Sequence, residues 1–221
     1  MRPIVSIFLA LFTLNSPAQD KAKPSPWEGE VSKYEAAEKA KPAPTEAVVF
    51  NGSSSIRMWK LADSFPGWKV TNHGIGGSTI PQNTELVDRL IFPLKPKAIV
   101  FYAGDNDMAK GRKPQEIADD WAAYVTAVRA KLPKVKIVFI AIKPSLARWK
   151  LWPVGKETNE KIKAWCDKAE DVKFIDVAPV MLGSDGLPIK ELFKEDGLHM
   201  VAAGYERWTK LVAPEIEAFA K

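Results

Sequence analysis

The chain has 221 residues, 46% of them hydrophobic, with a net charge of +5. That is enough for one domain with a sizeable core. The lysines are scattered rather than gathered into a stripe, so no nucleic-acid partner is indicated. A single cysteine, Cys166, excludes an intramolecular disulfide, and with only two histidines, His73 and His199, a metal site is not indicated either.

Arg2 precedes an apolar run over 4–14, and Asn15-Ser16-Pro17-Ala18 supplies small residues after it. This is the shape of a secretory signal peptide and is short for a membrane span, which predicts export without stable membrane insertion. Residues 19–45 are rich in Lys, Glu, Ala and Pro. They read as a charged leader with some helix around 31–41, pinned to the domain by Trp27. The domain itself is expected over 46–221.

From 47 onward, short apolar runs alternate with amphipathic segments. The runs at 47–50, 69–71, 98–103, 136–142 and 172–177 are near-continuous, as in strands buried on both faces. Met58, Leu61, Ala62 and Phe65 repeat at helical spacing. Pro114 opens a helix with Ile117, Trp121, Tyr124, Val125, Val128 and Leu132 on one face. Further helical patterns cover 84–90, 158–169 and 205–220, with Pro214 expected to kink the last. In the middle of the 158–169 pattern, Cys166 reads as a small buried residue. Five strand–helix alternations predict a parallel sheet between helical layers, with ligands beyond the carboxyl ends of the strands.

The loops at those ends carry the chemistry. After the first run comes Gly52-Ser53-Ser54-Ser55, by itself most simply a polar turn and N-cap, with a nucleophile site as the sharper alternative. After the second comes Asn72-His73-Gly74-Ile75-Gly76-Gly77-Ser78, Gly-rich but without phosphate-loop or dinucleotide spacing. The third ends in Gly104-Asp105-Asn106-Asp107, where Asn106 has a side-chain NH2 for an oxyanion and Asp105 and Asp107 shape the loop. After the fourth, Arg148, Trp149 and Trp152 could meet substrate, the tryptophans by stacking on sugar rings. Beyond the fifth, Asp196 stands three residues before His199, a spacing that lets the carboxylate fix the imidazole tautomer. Asp176 and Asp185 read as structural and turn residues.

Taken together these four blocks resemble the SGNH hydrolases, the GDSL-type esterases and lipases, over 47 to the C-terminus. The resemblance implies a three-layer α/β/α, flavodoxin-like fold with a five-stranded parallel sheet, and hydrolysis of carboxylic esters with no cofactor or metal. It implies Ser54 as nucleophile, Asp196 and His199 as its partners, and the amides of Ser54 and Gly77 with the Asn106 side chain as the oxyanion hole. One departure is Ser53, where the family more often has Asp. The expected substrate is a small-molecule or polysaccharide ester, with a short (acetyl) acyl group on a carbohydrate. The alternatives are a lysophospholipase or short-chain lipid esterase, and a non-catalytic carbohydrate-binding protein. Arg148, Trp149 and His73 are the candidate substrate contacts.

Overall fold

A computed structural model of the chain describes residues 25–44 and 46–221; the expected signal peptide lies outside them. Five strands form one all-parallel sheet: β1 (Val48–Gly52), β2 (Val70–Gly74), β3 (Ala98–Tyr102), β4 (Lys136–Ile140) and β5 (Val172–Ile175), in the order β2-β1-β3-β4-β5. The central β1 and β3 are buried along their whole length, whereas the edge strands β2 and β5 are only partly covered. The order reverses between β1 and β3, so the crevice at their carboxyl ends is where such a sheet takes its ligands.

Four long helices flank the sheet: α1 (Glu28–Ala40), α2 (Pro114–Arg129), α3 (Trp152–Cys166) and α4 (Ala202–Ala220). Alternation along the strands divides the core in two. Val49, Ile99, Phe101, Ile137 and Phe139 pack with Val31 of α1 and the apolar faces of α2 and α3. Val48, Phe50, Val100, Tyr102, Val138 and Ile140 face the other way, onto Ile56 and the Tyr205, Trp208, Val212 and Ile216 stripe of α4. Cys166 is buried in the first of these clusters, and burial pushes its thiol up to about 11.

Several element limits differ from the sequence expectation. β1 and β2 run on into polar residues, because the Asn51 amide is satisfied inside the fold. Its nitrogen donates to His73 O at 3.1 Å, and its oxygen accepts from the Tyr124 hydroxyl at 2.9 Å. The helix expected around 58–65 is two single turns, Ser54–Arg57 and Leu61–Ser64, and that around 84–90 is likewise split into Ile80–Glu85 and Val87–Leu90. α3 starts six residues early, with Pro153 in its first turn, and α4 continues through Pro214.

A packed helix precedes the domain expected over 46–221. α1 lies in the stretch read as leader, yet Val31 is fully buried and Trp27 and Tyr34 pack against the same core cluster. The packed unit therefore begins near Trp27.

Candidate active site

β1 delivers the Ser53–Ser55 turn. Gly52 has φ +132°, and a Cβ there would sit 2.0 Å from Tyr102 O. Only glycine allows β1 to lie so close to β3 at this point. Ser53 N then donates to Tyr102 O at 2.8 Å, and Ile56 N and Arg57 N both return to Ser53 O, closing one helical turn with Ser54 at its start. Ser53 Oγ is buried without a hydrogen-bond partner among the described residues.

The loop before α4 brings Asp196 and His199 to that turn. Asp196 Oδ1 accepts from the backbone N–H of Leu198 and of His199, both at 2.9 Å, and its Oδ2 lies 2.6 Å from His199 Nδ1. A carboxylate only accepts, so Nδ1 carries the proton and Nε2 presents a lone pair. Nε2 lies 3.0 Å from Ser54 Oγ. Desolvation works to raise the Asp196 pKa, but the His199 bond and the two backbone N–H groups outweigh it and hold the carboxyl at about 2.

Two further strand ends meet at this edge, since Gly52 pairs with Gly74 of β2 and with Tyr102 of β3. Asn106 Nδ2 donates one hydrogen to Ser78 O at 3.0 Å, its second having no partner among the described residues, while Asn106 Oδ1 accepts from Arg148 Nη2 at 2.9 Å. Gly77 has φ +72° and open space where a side chain would be. Ser54 N and Gly77 N donate to no partner among the described residues.

Of the other candidates, Arg148 turns inward. Its Nη1 is in ion-pair contact with Asp105 at 2.9 Å but makes no hydrogen bond among the described residues, and its Nη2 donates to Asn106 Oδ1. Trp149 and Trp152 are half-buried and stacked, with centroids 6.4 Å apart and planes at 13°. His73 is a correction: it is buried, stacked on Tyr34, with Nε2 3.3 Å from Glu38, and lies beneath α1. Burial lowers its pKa, against the Glu38 carboxylate, and its burial under α1 keeps the ring from a substrate at the sheet edge.

Sequence reasoning passed over Lys143, which is fully buried at the end of β4. Its Nζ lies 3.2 Å from Ser55 Oγ, 3.1 Å from the Tyr102 hydroxyl and 3.6 Å from Asp105 Oδ2. Burial pushes its pKa down, and Arg148 adds to this, while Asp105 opposes. The available signal was a lysine closing an apolar strand, a place where a cation survives only if paired.

A family model described as GDSL-like Lipase/Acylhydrolase matches residues 45–207. The chain belongs to that family. It is also 23% identical over 158 residues to the esterase TesA of Pseudomonas aeruginosa, covering 72% of this chain and 74% of that one. A GDSL-like lipase from Bacteroides thetaiotaomicron superposes with a TM-score of 0.70 at 23% identity, over 85% of this chain and 97% of the other. A protein from Streptococcus pneumonia does so at 0.77 and 21%, over 86% and 92%. The five-stranded α/β/α fold is thus that of the GDSL hydrolases, and this family member is an ester hydrolase.

Proposed function

We propose that Ser54 is the nucleophile of a serine esterase, with His199 as general base and Asp196 as its orienting acid. The observation carrying this reading is the unbroken chain from Asp196 Oδ2 through both ring nitrogens of His199 to Ser54 Oγ, at 2.6 and 3.0 Å. His199 Nε2 takes the hydroxyl proton as Ser54 Oγ bonds to the ester carbonyl carbon. The oxyanion so formed accepts from Ser54 N–H, Gly77 N–H and the free hydrogen of Asn106 Nδ2. Collapse breaks the ester C–O bond, and the leaving alkoxide takes the proton back from His199. Water, deprotonated by the same imidazole, then releases the acid and restores Ser54.

The proposed substrate is a short-acyl ester of a carbohydrate. It is supported by the stacked, half-buried Trp149 and Trp152 at the end of β4, a flat apolar surface of the kind a sugar ring covers. A second reading, a longer-chain or lysophospholipid ester, is favoured by a groove of about 720 Å³. Met58, one turn beyond Ser54, and Met200, next to His199, line it with Trp59 and Tyr205, and Lys60, Lys194 and Lys210 beside them would suit a charged headgroup, against Asp63 and Glu206. Export, on the strength of Arg2 and the apolar run after it, completes the proposal.

Ser54→Ala is expected to cut hydrolysis of 4-nitrophenyl acetate by about 10³-fold or more. Undiminished turnover would overturn the assignment. A panel from acetyl to octanoyl esters separates the substrates: acetyl preference with acetate release from acetylated polysaccharide supports the first reading, octanoyl preference the second.

A further inference from the structure

The helix α1 precedes residues 45–207, which carry the family match, but it packs against the Gly-rich loop after β2. Two of its side chains, and that of Trp27 just before it, bond the backbone of Gly74 at the end of β2 and of Gly76 in the loop. The Tyr34 hydroxyl donates to Gly74 O at 2.7 Å, Glu30 Oε2 accepts from Gly76 N at 2.8 Å, and Trp27 Nε1 donates to Gly76 O at 2.8 Å. The last contact bears on chemistry. Gly76 C=O and Gly77 N–H belong to one peptide plane, and in a trans peptide they point in opposite directions. The hydrogen bond that draws Gly76 O toward α1 therefore aims Gly77 N–H away from α1.

That peptide needs such a brace. It joins two glycines; the Arg57 guanidinium lies close on the Gly76 side, but Gly77 has φ +72° and no described atom near where its Cβ would be, so on that side no packing holds the plane. On the far side of the loop, Asn106 holds Ser78 O and Asp107 holds Ile80 N, both downstream of the plane in question. Donation to a carbonyl also polarises its peptide, which strengthens the N–H of the same unit as a donor.

We infer that Trp27 is a positioning residue for catalysis, fixing the Gly76–Gly77 peptide so that Gly77 N–H is presented to the oxyanion. This rests on the Ser54-based reading above. α1 is then part of the catalytic apparatus by way of one indole N–H, and its other contacts hold it in place. Glu30, which also pairs with Arg57 at 2.9 Å, fixes the preceding peptide and keeps the loop in register with α1.

The test is steady-state kinetics of Trp27→Phe on 4-nitrophenyl acetate, with Tyr34→Phe and Ser54→Ala in parallel. Losing a whole oxyanion donor costs about 10²–10³-fold, so loosening one is expected to cost about tenfold in kcat, with KM within about twofold. The rate of inactivation by a fluorophosphonate, whose phosphoryl oxygen enters the same hole, is expected to fall in parallel. Tyr34→Phe removes an equivalent helix-to-loop bond from a peptide outside the oxyanion hole. It should lower thermal stability and leave kcat within about twofold. Should Trp27→Phe fail to fold, benzothienylalanine at 27 keeps the indole shape and replaces only the N–H. A folded Trp27 variant with unchanged kcat and inactivation rate, alongside an inactive Ser54→Ala, overturns the role of Trp27 alone. An active Ser54→Ala overturns the reading beneath it.

Discussion

A side-chain amide stabilises an oxyanion only if its nitrogen, not its oxygen, faces the substrate. Asn106 is held in that sense by two contacts of opposite polarity. Its Nδ2 donates to Ser78 O, and its Oδ1 accepts from Arg148, an arginine itself anchored on Asp105. Rotating the amide by 180° would set Oδ1 against a carbonyl oxygen and Nδ2 against a guanidinium, losing both bonds and adding two repulsions. Arg148 read from sequence as a substrate contact because it stands beside two tryptophans after β4; nothing in its local spacing announces a partner 42 residues earlier. Arg148→Ala is expected to lower kcat by about tenfold with little change in KM, by freeing Asn106 to turn. Because the effect runs through Asn106, the double variant with Asn106→Ala should be no slower than Asn106→Ala alone. Additive losses in that cycle would mean that Arg148 acts on substrate directly.

At the scale of elements, the turn Ile80–Glu85 is tied to the end of β3 by one buried carboxyl. Asp107 Oδ1 accepts from Ile80 N at 3.0 Å, while its Oδ2 has no partner among the described residues. Burial raises its pKa to about 6, from an ordinary 3.8; the Ile80 N–H works against this, and Asp105 and Asp120 add to it. The folded carboxyl thus holds its proton more tightly than the unfolded one. Its stabilising effect is complete below about pH 4 and is lost as pH rises through 6. The difference amounts to at most about 3 kcal/mol. Asp107→Asn keeps an acceptor for Ile80 N without a titrating charge. In urea unfolding at pH 5 and pH 8, the wild type should lose stability between the two, and the variant should lose less. Equal losses would show that Asp107 does not titrate differently on folding. The site elements were partly legible beforehand. Apolar runs marked every strand, but β1 runs on into Asn51 and β2 into Asn72 and His73, and only His73 O on the neighbouring strand and the Tyr124 hydroxyl on a distant helix together explain why Asn51 can be buried.

Over the whole molecule, the layering followed from alternation of short apolar runs with amphipathic helices, since each strand face needs a cover. Trp27 read as the residue pinning the preceding segment to the domain; what did not follow was how much of α1 docks beside it. Trp27, Val31 and Tyr34 do recur at i, i+4 and i+7, but three apolar residues among lysines and glutamates resemble a solvated segment. Its docking becomes intelligible only with the folded surface present: the exposed edge of β2, a loop of backbone groups with unmet hydrogen bonds, and His73 offering a ring to Tyr34 at 4.7 Å. The pairs of Arg89 with Glu28 and Glu35 lie at the surface and add little individually. Burial of Val31, worth about 1.5–3 kcal/mol, and the partial burial of Trp27 and Tyr34 outweigh them before the cost of ordering the helix. A chain beginning at residue 46 should therefore fold, because β1–β5 and α2–α4 are complete within it. Its Tm is expected to fall by about 5–15 °C, which for a chain of this size corresponds to a net loss of about 2–4 kcal/mol. Its esterase activity should fall at least as far as that of Trp27→Phe, since the same indole N–H is gone. Unchanged thermal unfolding would show that α1 contributes nothing net to the fold. Unchanged kcat would show that the Gly-rich loop keeps its shape unaided.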